Sequence, residues 1–178
     1  LLNLPLTLRL GATVRYDDID EVGLFSTQKR SRLGAICNVK IQESSIGLFW
    51  DNSLALTDKL KAVASVRYDY FHFDVDGLLS VNINGVDLSK NSGKAKDDKY
   101  SFKGGLVYSV NPNWELYTSL GQGFHSNDAR GTVVTVDPAD GASIDTVEPL
   151  VGSVGCEVGV RGFFIDRLNV SLALWRLT

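Results

Sequence analysis

The 178-residue chain contains no methionine and only two cysteines, Cys37 and Cys156. Two such distant cysteines, without close-spaced Cys or His partners, make neither a disulfide framework nor a metal site, and both read as small apolar side chains. The chain opens Leu1-Leu2-Asn3, so the start of the gene product is expected to lie upstream, together with any signal peptide. No stretch reaches the ~18 consecutive apolar residues of a transmembrane helix, which leaves strands as the one means of crossing a membrane. A net charge of −3, from 18 basic and 21 acidic residues, lacks the cationic excess that neutralises phosphates, so nucleic acid is not an expected partner. The hydrophobic share of 44% is that of an ordinary folded domain and excludes little.

What the chain does have is alternation with a period of two, the mark of strands with chemically different faces. Leu4, Leu6, Leu8, Leu10, Ala12, Val14 and Tyr16 fall on one parity, and Thr7, Arg9, Gly11, Thr13, Arg15 and Asp17 on the other. Leu60, Ala62, Ala64, Val66, Tyr68 and Tyr70 likewise oppose Lys61, Ser65, Arg67 and Asp69, with Val63 as an exception. Tyr100, Phe102, Leu106 and Tyr108 oppose Ser101, Lys103 and Ser109, and Val154, Cys156, Val158 and Val160 oppose Gly155, Glu157, Gly159 and Arg161. Trp114, Leu116 and Leu120 oppose Glu115, Ser119 and Gly121, with Tyr117 breaking the polar face. Between about Arg32 and Leu56 the pattern changes phase near Glu43 to Ser45, where a β-bulge is expected. Arg176 falls on the apolar parity of the last strand and leaves its phase open.

The connections alternate too. Short polar links suited to tight turns occur at Thr57-Asp58-Lys59, Asn111-Pro112-Asn113 and Ile165-Asp166-Arg167. Between them lie long polar segments, roughly Asp18 to Arg30, Asp74 to Asp98 and His125 to Pro149. Short turns on one rim and long loops on the other describe an outer-membrane barrel. The aromatic residues agree: Tyr16, Tyr68, Tyr70, Tyr100, Phe102 and Phe124 are expected at the long-loop ends, and Tyr108, Trp114 and Phe164 beside the short turns, all on the apolar parity. The expected fold is therefore all-β, an antiparallel up-and-down transmembrane barrel. About seven strands are present, near 4–17, 32–56, 60–73, 99–110, 114–124, 151–164 and 168–177, fewer than the eight at which bacterial barrels begin. Open edges in lipid would leave backbone groups unpaired, so residues 1–178 are expected to be one section of a larger barrel wall.

Motifs for catalysis are weak. Gly121-Gln122-Gly123 starts a dinucleotide-binding fingerprint, but Ser126 stands where its third glycine should be and no helical pattern follows to receive a pyrophosphate. His125, Ser126 and Asp128 are neighbours on one turn, where a triad's mutual geometry is rarely reached. Asp17, Asp18, Asp20 and Glu21, or Asp74 and Asp76, could attract a cation, yet neither group completes a calcium loop, and solvated loop charge accounts for both. No enzyme activity, cofactor or metal site is expected. Arg9, Arg15, Arg67, Asp69, Lys103, Glu115, Glu157 and Arg161 share the polar parity: they either line a wet interior or contact a plug or passing ligand.

Gly121 to Gly131, GQGFHSNDARG, resembles the barrel of TonB-dependent outer-membrane receptors. SSIGLFWD from Ser44, ASVRYDY from Ala64, FKGGLVY from Phe102, WELY from Trp114, VEPLV from Val147 and EVGVR from Glu157 are similar to successive stations of that barrel, in order. Where that family often carries a proline after the serine of the fourth-strand motif, this chain has Phe102-Lys103. The resemblance implies a barrel of about 22 strands in the bacterial outer membrane, occluded by an N-terminal plug domain and energised by the TonB complex. Plug, TonB-contacting segment and closing strands are expected outside these residues, and outer-membrane lipid, plug, TonB complex and a metal-chelate ligand are the implied partners. Family substrates are ferric siderophores, haem, cobalamin or other metal complexes. His125, Asn127, Asp128 and Arg130, where a loop meets the lumen mouth, are the candidate ligand contacts, unless their hydrogen bonds simply tie the loop to the wall. A passive porin and a soluble all-β carbohydrate-binding module are the alternative readings.

Overall fold

The computed structural model describes residues 5–164 and 168–178. Seven strands follow one another as a meander: β1 Leu6–Gln28, β2 Ser31–Ala55, β3 Leu60–Gly77, β4 Gly93–Asn111, β5 Trp114–Ser126, β6 Leu150–Phe164 and β7 Leu168–Leu177. Each pairs antiparallel with its sequence neighbours in one sheet that curls into half of a barrel. The expected link at 165–167 and the expected first strand residue, Leu4, lie outside the described residues.

Register keeps the two parities on opposite faces across the whole sheet. Leu10 lies opposite Trp50, Trp50 opposite Val66, and Val66 opposite Phe102; one step on, Arg9, Asp51, Ser65 and Lys103 align in the same way. The apolar face is bare, with Val14 78%, Leu10 72%, Leu120 61% and Leu174 74% exposed. An uncovered apolar face running across seven strands is far larger than any patch a soluble monomer tolerates, and lipid is its natural solvent. Tyr68 and Tyr100 meet at the upper edge of this face with ring centroids 4.8 Å apart, and Trp114 and Phe164 meet edge-on at the lower edge at 5.2 Å. Among the described residues no helix is long and apolar enough to cross a membrane, which leaves the strands.

Phe124 corrects one expectation. The β4–β5 ladder ends at Lys103 opposite Gly121, and above it the Gln122 side-chain oxygen accepts from the Phe102 N–H at 3.3 Å. The strands part there, and Phe124 packs edge-on against Phe71, on the polar parity of β3, at 5.8 Å. It belongs to the interior of the rim and not to the lipid belt. Arg176 lies opposite Cys156, so it keeps the lipid-side parity of Leu172 and Leu174. Both cysteines are free, Cys156 exposed and Cys37 half-buried.

The first expected loop is also absent. Residues 18–28 continue β1, which turns through Lys29 and Arg30 directly into β2. Both turn residues are left-handed, at φ 50° and 70°, as a two-residue hairpin turn with the sheet's own twist requires. Beyond the bilayer both faces of a strand meet water, so alternation is no longer demanded and Asp18, Asp20 and Glu21 can sit on a strand. Lys40 bridges Asp18 at 3.1 Å and Asp20 at 3.0 Å, and Asn38 donates to Glu21 at 2.9 Å. This pairing raises the Lys40 pKa and lowers that of Asp18. In the other acidic pair Asp74 is likewise engaged, bonded by Lys94 at 2.6 Å. Among the described residues no group of acids, histidines and cysteines could hold a metal ion.

No bulge occurs at Glu43 to Ser45. Ladders on both sides of β2 run unbroken there, Asp17 facing Glu43 and Glu43 facing Phe73. Irregularities lie further out, between Ile19 and Val22, Leu24 and Phe25, and Ser26 and Thr27. The phase of the apolar residues changes because the environment changes. Above Glu43 the inward face is covered, and Val39 and Ile41 are buried in it.

Candidate functional site

Two loops sit on the outer rim, residues 78–92 and 127–149, the latter opening with a 3-10 helix at Ala129–Thr132. Val39, Ile41, Phe73 and Val75 on the inward face of β2 and β3 bury themselves against Ala129 and Val133. Phe73 and Leu150 are fully buried. Burying a side chain of this size contributes about 1.5–3 kcal/mol, so the loop is drawn inward over the lumen mouth.

The four candidate contacts stand where this loop leaves the wall. His125 lies opposite Val151, one pair before the β5–β6 ladder ends at Ser126 and Leu150, and is exposed. Asn127 ties the two ends of the loop, its side chain donating to the Glu148 carbonyl at 2.8 Å and its N–H to the Pro149 carbonyl at 2.9 Å. Asp128 caps the 3-10 helix by accepting the Arg130 N–H at 2.9 Å. The Arg130 guanidinium closes onto the same carboxylate with Nε at 2.9 Å and Nη2 at 2.5 Å. Asn127 is thus engaged in tying the loop, Asp128 and Arg130 form a clip at its start, and His125 is left open.

Hydrogen bonding from Arg130 holds the Asp128 carboxyl below its ordinary value of 3.8, against a smaller opposing effect of burial. The same pair raises the Arg130 pKa. A carboxylate depressed in the folded state stabilises above its ordinary pKa, and that contribution is lost as pH falls through the lowered folded value. Amide exchange at Gly131 and Val133, corrected for intrinsic rates, is therefore expected to be flat at neutral pH and to accelerate only below pH 3.8. In Asp128→Ala it should be fast throughout; an equal acid limb in that variant would assign the pH dependence to another group.

On the lumen face Arg9 pairs with Asp51 at 3.4 Å, and five more of the expected charges fall into three sets. Arg15 bonds Asp17 at 2.5 Å near the rim. Arg67 grips Asp69 with two hydrogen bonds of 2.6 Å and reaches Thr13 at 3.0 Å. Asp69 is buried, at 2% exposure, because Gly47 on the intervening strand carries no side chain: a Cβ there would meet Asp69 Oδ1 at 2.5 Å and Thr13 Oγ1 at 2.7 Å. In the third set the Tyr117 hydroxyl donates to Glu157 at 2.5 Å while the Arg161 guanidinium lies 4.2 Å over its ring. Tyr117 can lie flat because Gly159 is opposite, where a Cβ would meet its ring at 2.5 Å.

Tyr117, Thr13 and Gly47 belong to these sets although sequence reasoning did not single them out as site residues. Tyr117 had left a trace, as the one residue breaking the polar face of its strand. Nothing local marks Thr13 or Gly47, whose parts depend on register across three strands.

The chain shares its fold with solved receptors. The ferric yersiniabactin uptake receptor FyuA from Yersinia pestis superposes with a TM-score of 0.65 at 14% identity, covering 99% of this chain and 26% of that one. The ferric-catecholate import receptor Fiu from E. coli K12, in its open form, gives 0.61 at 13% identity over 98% of this chain and 28% of its own. The siderophore receptor PiuA from Acinetobacter baumannii gives 0.63 at 16% identity over 97% and 28%. This chain thus spans about a quarter of the length of each, and at such identities the likeness establishes the fold alone. The family described as TonB dependent receptor-like, beta-barrel matches residues 2–178. With its lipid-facing belt, polar lumen wall and matched length, the chain belongs to this family of outer-membrane transport proteins, not to a family of enzymes.

Proposed function

We propose that these strands are part of the wall of a receptor that captures a metal chelate, a ferric siderophore in the first place, and imports it with TonB-coupled energy. A plug domain and the TonB-contacting segment belong, in this reading, to other parts of the same protein. The observation that carries it is the loop 127–149, whose Ala129 and Val133 pack on the inward face of β2 and β3 and so fold it over the mouth of a wall whose inward parity carries charged side chains. Anionic and hydroxyl-bearing chelates suit guanidinium and imidazole donors. The solved receptors of the same fold carry names that refer to ferric yersiniabactin, ferric catecholates and siderophores.

The test is uptake of radioactive iron, supplied as catecholate, hydroxamate or phenolate chelates, by cells whose own receptors are deleted and which express the full-length protein. Uptake of at least one chelate, abolished by deleting tonB, is the expected result. Uptake that survives that deletion would identify a passive pore, and failure with every chelate class would reject the substrate assignment. His125→Ala and Arg130→Gln should each weaken chelate binding by about tenfold, the scale of one charge-assisted hydrogen bond.

A further inference from the structure

We infer that the rim loops 78–92 and 127–149 form one mechanical unit, and that Asn82 and Asn91 are the positioning residues that join them.

Asn82 is 6% exposed, and every polar atom of its side chain is used. Its Nδ2 donates to the Ile36 carbonyl on β2 at 3.1 Å and to the Pro138 carbonyl of the other loop at 2.6 Å. Its Oδ1 accepts the N–H groups of Asn84 at 2.9 Å and Val86 at 3.0 Å, shaping its own loop. One side chain therefore ties the barrel wall, loop 78–92 and loop 127–149 together. Asn91 acts at a second point: its Oδ1 accepts from Thr135 N–H at 3.0 Å and Val136 N–H at 2.9 Å, and its Nδ2 donates to the Val136 carbonyl at 2.8 Å. The Thr135 hydroxyl adds a bond to the Lys90 carbonyl at 3.3 Å.

These bonds matter because buried backbone groups need partners. If loop 127–149 lifted alone, Thr135, Val136 and Pro138 would leave the two asparagines unsatisfied, and each such loss is opposed. Between the loops and β2 lies a mostly apolar cavity of about 200 Å³, bounded by Leu79 and Leu88 on one side, Val134 and Pro138 on the other, and Cys37 beneath. Separating the loops would pull Leu79 and Leu88 away from Val134 and Pro138 and expose these apolar side chains to water. The Asp128–Arg130 clip lies seven and five residues before Thr135, on the segment that Asn91 holds. Loop 78–92 thus sets the position of residues to which it makes no side-chain hydrogen bond of its own.

Hydrogen exchange and thiol labelling on the full-length receptor in detergent micelles, in a Cys156→Ser background, test this. Asn91→Ala should speed exchange of amides throughout 129–147 by about tenfold, as for a locally opened unit, with strand amides unchanged. Cys37 should react faster with a small maleimide. Asn91→Asp retains an acceptor for Thr135 and Val136 but sets a carboxylate oxygen against the Val136 carbonyl, so it should restore only part of their protection. The decisive arm is reciprocal: Val133→Ser, which loosens loop 127–149 from the rim core, should also speed exchange at Asn82 and Leu88 in the other loop. Loosening confined to the substituted loop in either direction, or unchanged protection in Asn91→Ala, would overturn the inference. Should Asn91→Ala fail to insert, Val133→Ser still decides it.

Discussion

Val158→Arg is expected to destabilise the barrel by about 2–4 kcal/mol, the cost of a guanidinium on the lipid face near the bilayer midplane. Val158 is 56% exposed, yet on this face exposure means contact with hydrocarbon. It lies opposite Leu174 on β7 and Thr118 on β5, whose hydroxyl donates to the Glu157 carbonyl at 3.2 Å, so neither cross-strand neighbour offers a charge partner. Arg176 shares the parity two residues nearer the outer rim than Leu174, and its long stem can carry the charge toward the interface. The control is Gly155→Ser, a polar change on the lumen parity of the same strand, where a Cβ would lie 3.4 Å from the Leu177 side chain in ordinary contact, and which should cost far less than the arginine. Denaturant titration of the full-length protein in phospholipid vesicles measures both. A soluble sandwich predicts a small effect at Val158, since an exposed arginine in water costs almost nothing.

Asp69→Ala is expected to cost about 2–3 kcal/mol, because it strips a guanidinium of its two strongest partners and leaves a void where β2 has only Gly47. The Arg67 side chain is 39% exposed, so water recovers part of the loss and the full penalty of a buried orphan charge is not reached. Arg67→Ala should cost a similar amount by leaving Asp69, 2% exposed, without its donors. The double variant should cost clearly less than the sum, the signature of a coupled pair. Additive losses would show that the two side chains contribute separately. Gly47→Ala probes the same place sterically, since its methyl group would collide with the ion pair from below.

The strand count, the two faces and the rim asymmetry were legible in the residues because a bilayer imposes its demand on every strand that crosses it. The pattern of Leu6 to Tyr16 or Val154 to Val160 can be read without knowing any partner strand. Legibility ended where the bilayer ends. Asp18 to Arg30 looked like a loop because polar and apolar residues fall on both parities, although a hairpin standing in water has no reason to segregate them. The apolar residues around Val39 and Ile41 suggested a bulge because their cover, Ala129 and Val133, lies some ninety residues away in sequence. Phe124 was assigned to the lipid belt by parity, and parity fails where β4 and β5 part.

The candidate site divides along the same line. His125, Asn127, Asp128 and Arg130 were legible as a cluster because they are neighbours in the chain, and so was the lumen parity of Arg67, Asp69, Glu157 and Arg161. That Asp128 and Arg130 clip one another, that Asp69 is buried, and that Tyr117 joins Glu157 to Arg161 follow from close approach in space. Local chemistry thus determined which faces the strands present, through the opposite solvents on the two sides of the wall. Only tertiary structure decided which charges neutralise each other and how the rim closes inward, because those outcomes depend on register and on contacts between segments that no sequence period links.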